Sequence, residues 1–132
     1  MIIFVCTGNT CRSPLAESYA KTVTDREVES RGLFVTSNQV SPYSEEIIQR
    51  ENYSPSTLPE QLTHEDTLDN TLLVMTKSHY IQVKMLNEDA DVHLLSEYVG
   101  GSGDVLDPFG GNMDDYTRVF HQMKHYIDKI NW

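Results

Sequence analysis

The chain has 132 residues, ten of them basic and twenty acidic, which gives a formal net charge of -10 at neutral pH. Such a surface repels polyphosphate backbones and anionic lipid headgroups, so we expect neither nucleic acid nor a membrane as a partner. The length suits one domain spanning 1–132, because a chain of this size can bury a single core. No apolar run has the length of a membrane span or of a signal sequence, and only two cysteines occur. We therefore expect a cytoplasmic protein with reduced thiols.

The first part of the chain alternates between strand and helix patterns. Ile2 to Val5 is a continuous run of β-branched and aromatic residues, which predicts a buried parallel strand. Helical spacing of apolar residues follows, with Ser13 as the expected N-cap and Pro14 as the expected first helical residue. A second strand is predicted from Val28 to Phe34 and a second helix from Tyr43 to Arg50.

The second part continues the alternation after a predicted loop. Glycines and a proline then predict a long irregular loop before a final helix, whose apolar stripe is typical of a core-facing surface. In chain order, we predict a loop at 53–64, a strand at 71–75, a helix at 78–86, a strand at 92–95, a loop at 100–111 and a helical stripe from Tyr116 to Ile130.

Alternating strands and helices predict an α/β fold of three layers, in which helices flank an open, mostly parallel, four-stranded sheet. In such folds ligands bind beyond the carboxyl ends of the strands. The first of these ends carries the segment Cys6 to Ser13.

This segment has the residues of an anion-binding loop. Successive backbone N–H groups between a strand and a helix can converge on a phosphate, and the helix dipole adds partial positive charge. Gly8 and Asn9 are the residues expected to allow a left-handed turn there. Arg12 can bind two phosphoryl oxygens and favours Cys6 as a thiolate nucleophile.

The string from Val5 to Pro14, together with the segment Asp107 to Gly110, resembles the signature of the low-molecular-weight protein tyrosine phosphatase family. The resemblance implies that Cys6 attacks phosphorus and forms a phosphocysteine, while Asp107 acts as general acid and then as base. It implies no cofactor and no metal, and phosphorylated proteins as substrates. The residues it assigns to substrate or phosphate binding are Thr7, Gly8, Asn9, Thr10, Cys11, Ser13 and Phe109.

Cys11 lies at C-x4-C spacing from Cys6. In the family that the chain resembles, the second cysteine can form a reversible disulfide with the nucleophilic cysteine. The alternative for Cys11 is a small buried thiol, and a zinc site is the weaker interpretation because no further ligand pair is apparent.

Two features distinguish this chain from tyrosine-directed members of that family. Thr10 replaces a bulky aliphatic residue, and Phe109-Gly110 replaces two consecutive tyrosines. Both resemble the bacterial protein arginine phosphatase branch, so we expect phosphoarginine as the substrate group, with phosphotyrosine as the alternative.

Other functions of an anion loop remain as alternatives. An arsenate reductase of similar fold would need further cysteines after Cys11, and the chain has none. A phosphocarrier domain would not require an acid such as Asp107. Five histidines show no ligand-like clustering and are expected to be surface or packing residues: His64, His79, His93, His121 and His125.

Overall fold

The computed structural model describes residues 1–132 and contains one sheet of four strands in the order β2-β1-β3-β4. Every pairing in the sheet is parallel, which confirms the predicted α/β fold. The strands are β1 (Ile2–Cys6), β2 (Val28–Gly32), β3 (Thr71–Val74) and β4 (Asp91–Leu94).

Helices follow the strands and cover both faces of the sheet. They are α1 (Arg12–Val23), α2 (Pro42–Arg50), α3 (Lys77–Leu86), α4 (Leu95–Tyr98) and α5 (Met113–Ile127), with a short 3-10 helix at Glu65–Thr67. The strand bounds differ from the sequence prediction by one or two residues: β1 extends to Cys6, β2 stops at Gly32 rather than Phe34, and β3 stops at Val74. β4 begins at Asp91, and Leu95 begins α4 rather than ending β4. No helix has the length and apolar character needed to cross a membrane.

Side chains that alternate along β1 divide the core into two layers. Phe4 and Cys6 pack with residues of α1, α2 and α5, whereas Ile3 and Val5 pack with Val83 of α3 on the opposite face. Because successive strand side chains point to opposite faces, both faces of β1 are covered. This explains why β1 reads as a continuous apolar run.

The strand order places a crevice beyond the end of β1. From β1 the chain continues through α1 to β2 on one side, while β3 pairs with β1 on the other side. In open parallel sheets such a change of direction leaves room for a ligand between two loops. Residues 7–11, which connect β1 to α1, lie at this position.

The last helix closes the layer that contains α1. Asn112 and Asp115 form a capping box at its start, each side chain accepting a hydrogen bond from the other residue's backbone N–H. The predicted core stripe is confirmed for Tyr116, Phe120, Met123 and Ile127, which are all buried.

Candidate active site

The anion loop begins and ends at buried residues. Cys6 is the last residue of β1 and Arg12 is the first residue of α1. The helix therefore starts two residues before Pro14, and the predicted Ser13 N-cap is wrong, because no side chain caps this end of α1. The Ser13 hydroxyl lies instead 2.9 Å from the Cys6 sulfur.

Asn9 provides the left-handed turn of the loop, with a φ of 54°. Gly8 does not adopt a positive φ, so the expected use of glycine at this turn is wrong. Hydrogen bonds of the Asn9 amide offset the strain of this conformation. Its Oδ1 accepts from the Glu60 backbone N–H at 2.9 Å, and its Nδ2 lies 2.7 Å from the Ser13 Oγ and 2.9 Å from the Ser30 Oγ.

A chain of hydrogen bonds links Cys6 to a buried carboxylate. The Asn9 amide donates to Ser13, whose own hydrogen can be donated to the Cys6 sulfur at 2.9 Å or to the Arg31 carbonyl at 3.5 Å. The Ser30 hydroxyl, which also accepts from Asn9, donates to Glu17, whose exposure is only 1%. The loop is thus fixed from behind by groups that a bound anion would not touch.

Sequence patterns did not predict the participation of Glu17, Ser30 or Thr57. Thr57 donates to the Glu17 carboxylate at 3.0 Å, from a segment predicted to be a loop. One signal was present, because Glu17 lies four residues after Ser13 and therefore on the same face of α1. The contacts with Ser30 and Thr57 arise only when β2 and the loop pack against α1.

The Arg12 guanidinium is anchored on one side and free on the other. Its Nη1 donates to the Val105 carbonyl at 2.9 Å, and its Nη2 lies 3.8 Å from the Asp107 Oδ2. Its buried Nε has no hydrogen-bond partner in the protein. Two N–H directions are consequently available for a bound anion.

Asp107 lies at the rim of the same cavity, with its side chain 49% exposed. Its Oδ1 accepts a hydrogen bond from the Phe109 backbone N–H at 2.9 Å, which fixes the direction of the carboxylate. The Phe109 ring is 82% exposed beside it. An acid at the cavity mouth is positioned to exchange a proton with a group that leaves the cavity.

The cavity has a volume of about 350 Å³ and contains most of the predicted site residues. The side chains of Asn9 and Ser13 do not line the cavity. They lie on the opposite side of the loop, where they make the contacts described above. Two unpredicted residues, Phe34 and Thr36, form part of the wall. The lining consists of Cys6, Thr7, Gly8, Thr10, Cys11, Arg12, Phe34, Thr36, Asp107 and Phe109.

Cys11 is largely buried but lines the cavity, and both cysteines are free thiols. Its sulfur lies 3.5 Å from the Tyr116 hydroxyl and 3.7 Å from the Thr10 hydroxyl. Burial raises the pKa of Tyr116, and the contact with Cys11 adds to this rise. A disulfide between Cys6 and Cys11 stays a prediction.

One of the five histidines, all expected to be surface or packing residues, also makes a polar contact with the anion loop. His79 is buried, and its Nε2 lies 2.9 Å from the Thr7 hydroxyl of the anion loop. Burial and the nearby Arg12 charge lower the pKa of His79 from 6.5 to about 4. No group of three or more His, Cys, Asp or Glu side chains is arranged to hold a metal ion.

Known proteins are similar to this chain in sequence and in fold. The family model described as low molecular weight phosphotyrosine protein phosphatase matches residues 1–131. A protein of Staphylococcus haemolyticus, the low molecular weight protein-tyrosine-phosphatase PtpB, is 45% identical over 98% of this chain and 96% of its own length. The PtpB protein of Staphylococcus aureus is 40% identical, over 98% and 95%.

Solved structures also resemble this chain in fold and in sequence. A mutant of the YwlE arginine phosphatase with a phosphorylated active-site serine superposes with a TM-score of 0.91 and 35% identity, covering 97% of this chain and 91% of that one. The YwlE arginine phosphatase from Geobacillus stearothermophilus has a TM-score of 0.88 and 30% identity, covering 97% and 88%. The chain belongs to the low-molecular-weight protein tyrosine phosphatase family and is a protein phosphatase.

Proposed function

We propose that this protein hydrolyses phosphoarginine side chains of proteins through a phosphocysteine formed on Cys6. The observation that carries the proposal is a threonine, Thr10, on the wall of the cavity that contains Cys6 and Arg12. The similarity to the YwlE arginine phosphatase supports the same substrate group.

In the first step, the Cys6 thiolate attacks phosphorus and an S–P bond forms while the P–N bond to the substrate guanidine breaks. Arg12, through its Nε and Nη2, and the loop N–H groups donate to the phosphoryl oxygens, where negative charge develops. Asp107 transfers its proton to the departing nitrogen, so that the product leaves as a guanidinium. The Ser13 hydroxyl stabilises the thiolate before attack.

In the second step, water attacks the phosphocysteine, and an O–P bond forms as the S–P bond breaks. The Asp107 carboxylate accepts the proton of this water, which restores the acid for the next cycle. The released thiolate again accepts a hydrogen bond from Ser13. Phosphorylation of the active-site serine in a mutant of a structural neighbour supports a covalent intermediate of this kind.

Thr10 favours a guanidinium for a simple chemical reason. Its hydroxyl can accept a hydrogen bond from a guanidinium N–H, whereas an aliphatic side chain offers only packing to a phenyl ring. Phe109 does not discriminate, because an exposed ring can stack on a guanidinium plane or on a phenol ring. The second candidate is phosphotyrosine, which the names of the PtpB relatives favour.

The test compares two peptides of one sequence that carry either phosphoarginine or phosphotyrosine. We expect a higher kcat/KM on phosphoarginine for the wild type, and a shift of the ratio towards phosphotyrosine by about ten-fold in Thr10→Ile, because one hydrogen bond is lost. Thr10→Ser keeps the hydroxyl and should keep the preference. A wild type that prefers phosphotyrosine, or an equal loss of both activities in Thr10→Ile, would contradict the proposed substrate.

A further inference from the structure

His79 connects the third helix to the anion loop, across 72 residues of sequence. It lies in the first turn of α3, where its backbone N–H donates to the Thr76 hydroxyl at 3.2 Å. The side chain is 3% exposed, and Nε2 lies 2.9 Å from the Thr7 Oγ1. The reaction described above gives this buried imidazole no task.

The environment of the second ring nitrogen decides which atom donates. Nδ1 of His79 is buried and has no hydrogen-bond partner. A neutral imidazole carries one hydrogen on its two nitrogens, and a buried N–H without an acceptor is rarer in proteins than a buried acceptor without a donor. The hydrogen therefore belongs on Nε2, from which it is donated to the Thr7 oxygen.

The surroundings keep this imidazole neutral. Burial and the positive charge of Arg12 both disfavour a second proton, and together they outweigh the attraction of Asp104 and Asp107. As a result, Thr7 receives a hydrogen bond from a neutral ring, and the hydrogen of its own hydroxyl is free. Thr7 also lines the cavity that contains Cys6 and Arg12.

We propose that His79 is a positioning residue that holds the Thr7 hydroxyl with its hydrogen directed at the phosphoryl group bound in this cavity. The inference rests on the proposed chemistry at Cys6 and adds one donor to those of Arg12 and the loop amides. The same turn of α3 is also tied to the loop before Asp107, because the Lys77 backbone N–H donates to Asp104 at 3.1 Å.

The test is a double-mutant cycle measured on p-nitrophenyl phosphate, with inorganic phosphate as a competitive inhibitor. Thr7→Val should lower kcat/KM by about 10- to 100-fold, the effect of one hydrogen bond to a charged group, and should weaken inhibition by phosphate. Thr7→Ser, the matched control, should stay near the wild type. His79→Leu should reproduce the loss of kcat/KM seen in Thr7→Val. The kcat/KM of the double variant should be no lower than that of the less active single variant.

His79→Gln places an amide N–H near the position of Nε2 and should recover part of the activity that His79→Leu loses. Additive losses in the double variant, or a Thr7→Val variant with wild-type kcat/KM, would overturn the inference. Continued turnover by Cys6→Ala would instead refute the proposed nucleophile, so the two failures are distinguishable.

A second measurement does not depend on whether His79→Leu folds. The ring ¹⁵N chemical shifts of His79 in the wild-type protein at neutral pH should show a protonated Nε2 and an unprotonated Nδ1. A hydrogen on Nδ1 would overturn the inference, because Thr7 would then have to donate its hydrogen to the ring.

Discussion

The Asp107 side chain is half-exposed, and the hydrogen bond from the Phe109 backbone N–H constrains its position. This arrangement lets the carboxyl reach a leaving group while Arg12 lies 3.8 Å away on the other side. A guanidine is a poor leaving group unless it is protonated, whereas p-nitrophenolate leaves readily without a proton. The need for a proton from Asp107 therefore depends on the leaving group of the substrate.

Asp107→Asn should lower kcat/KM on a phosphoarginine peptide by about 100- to 10,000-fold, the range for loss of a general acid. The loss on p-nitrophenyl phosphate should be smaller, because kcat/KM reports the step in which the leaving group departs. Steady-state kinetics on the two substrates provide the measurement. Equal losses on both would contradict the role of Asp107 as the acid for the leaving group.

The strands and most helices could be predicted from the sequence because their signal is local. The apolar run of β1 indicates burial on both faces of the strand, and the stripe of α5 indicates burial on one face of the helix. Contacts between different helices, strands and loops leave no such pattern in the sequence. Ser13 has the residue type of an N-cap, yet its hydroxyl lies against the Cys6 sulfur instead. His79 contacts Thr7 only because α3 packs against the loop.

The end of β2 also positions the anion loop, through a glycine. A Cβ at Gly32 would lie 2.9 Å from the Asn9 nitrogen and 2.9 Å from the Gly8 carbonyl carbon. Both are backbone atoms, so the loop itself would have to move. The close approach of β2 to the loop thus requires the absence of a side chain at this position.

Gly32→Ala should therefore displace the loop and reduce kcat/KM by about 100-fold, as expected for a small misplacement of reacting groups. Inorganic phosphate should also inhibit this variant more weakly, while its circular dichroism spectrum stays close to that of the wild type. Wild-type kcat/KM together with wild-type inhibition by phosphate would show that the loop does not depend on this contact.

Burial of His79 links the stability of the folded protein to pH. The pKa of His79 is 6.5 in an ordinary environment and about 4 in the folded protein. Between these values the unfolded chain binds a proton that the folded chain does not. The stabilisation of the folded state is thus complete above pH 6.5 and is lost as the pH falls towards 4.

From pH 7 to pH 5 this single group should lower the free energy of unfolding by about 2 kcal/mol. Urea denaturation of the wild type and of His79→Gln at both pH values isolates the contribution, since the other titrating groups are common to both proteins. The wild type should lose more stability than the variant over this interval. An identical pH dependence would contradict a neutral, buried His79.

In the proposed reaction, phosphate passes through Cys6. Rapid quenching of the wild type with a phosphoarginine peptide, followed by mass spectrometry, should find phosphate on the fragment that contains Cys6 and continued release of inorganic phosphate. A single turnover would indicate a phosphocarrier. Absence of phosphate from that fragment, together with turnover by Cys6→Ala, would contradict a phosphocysteine intermediate on Cys6.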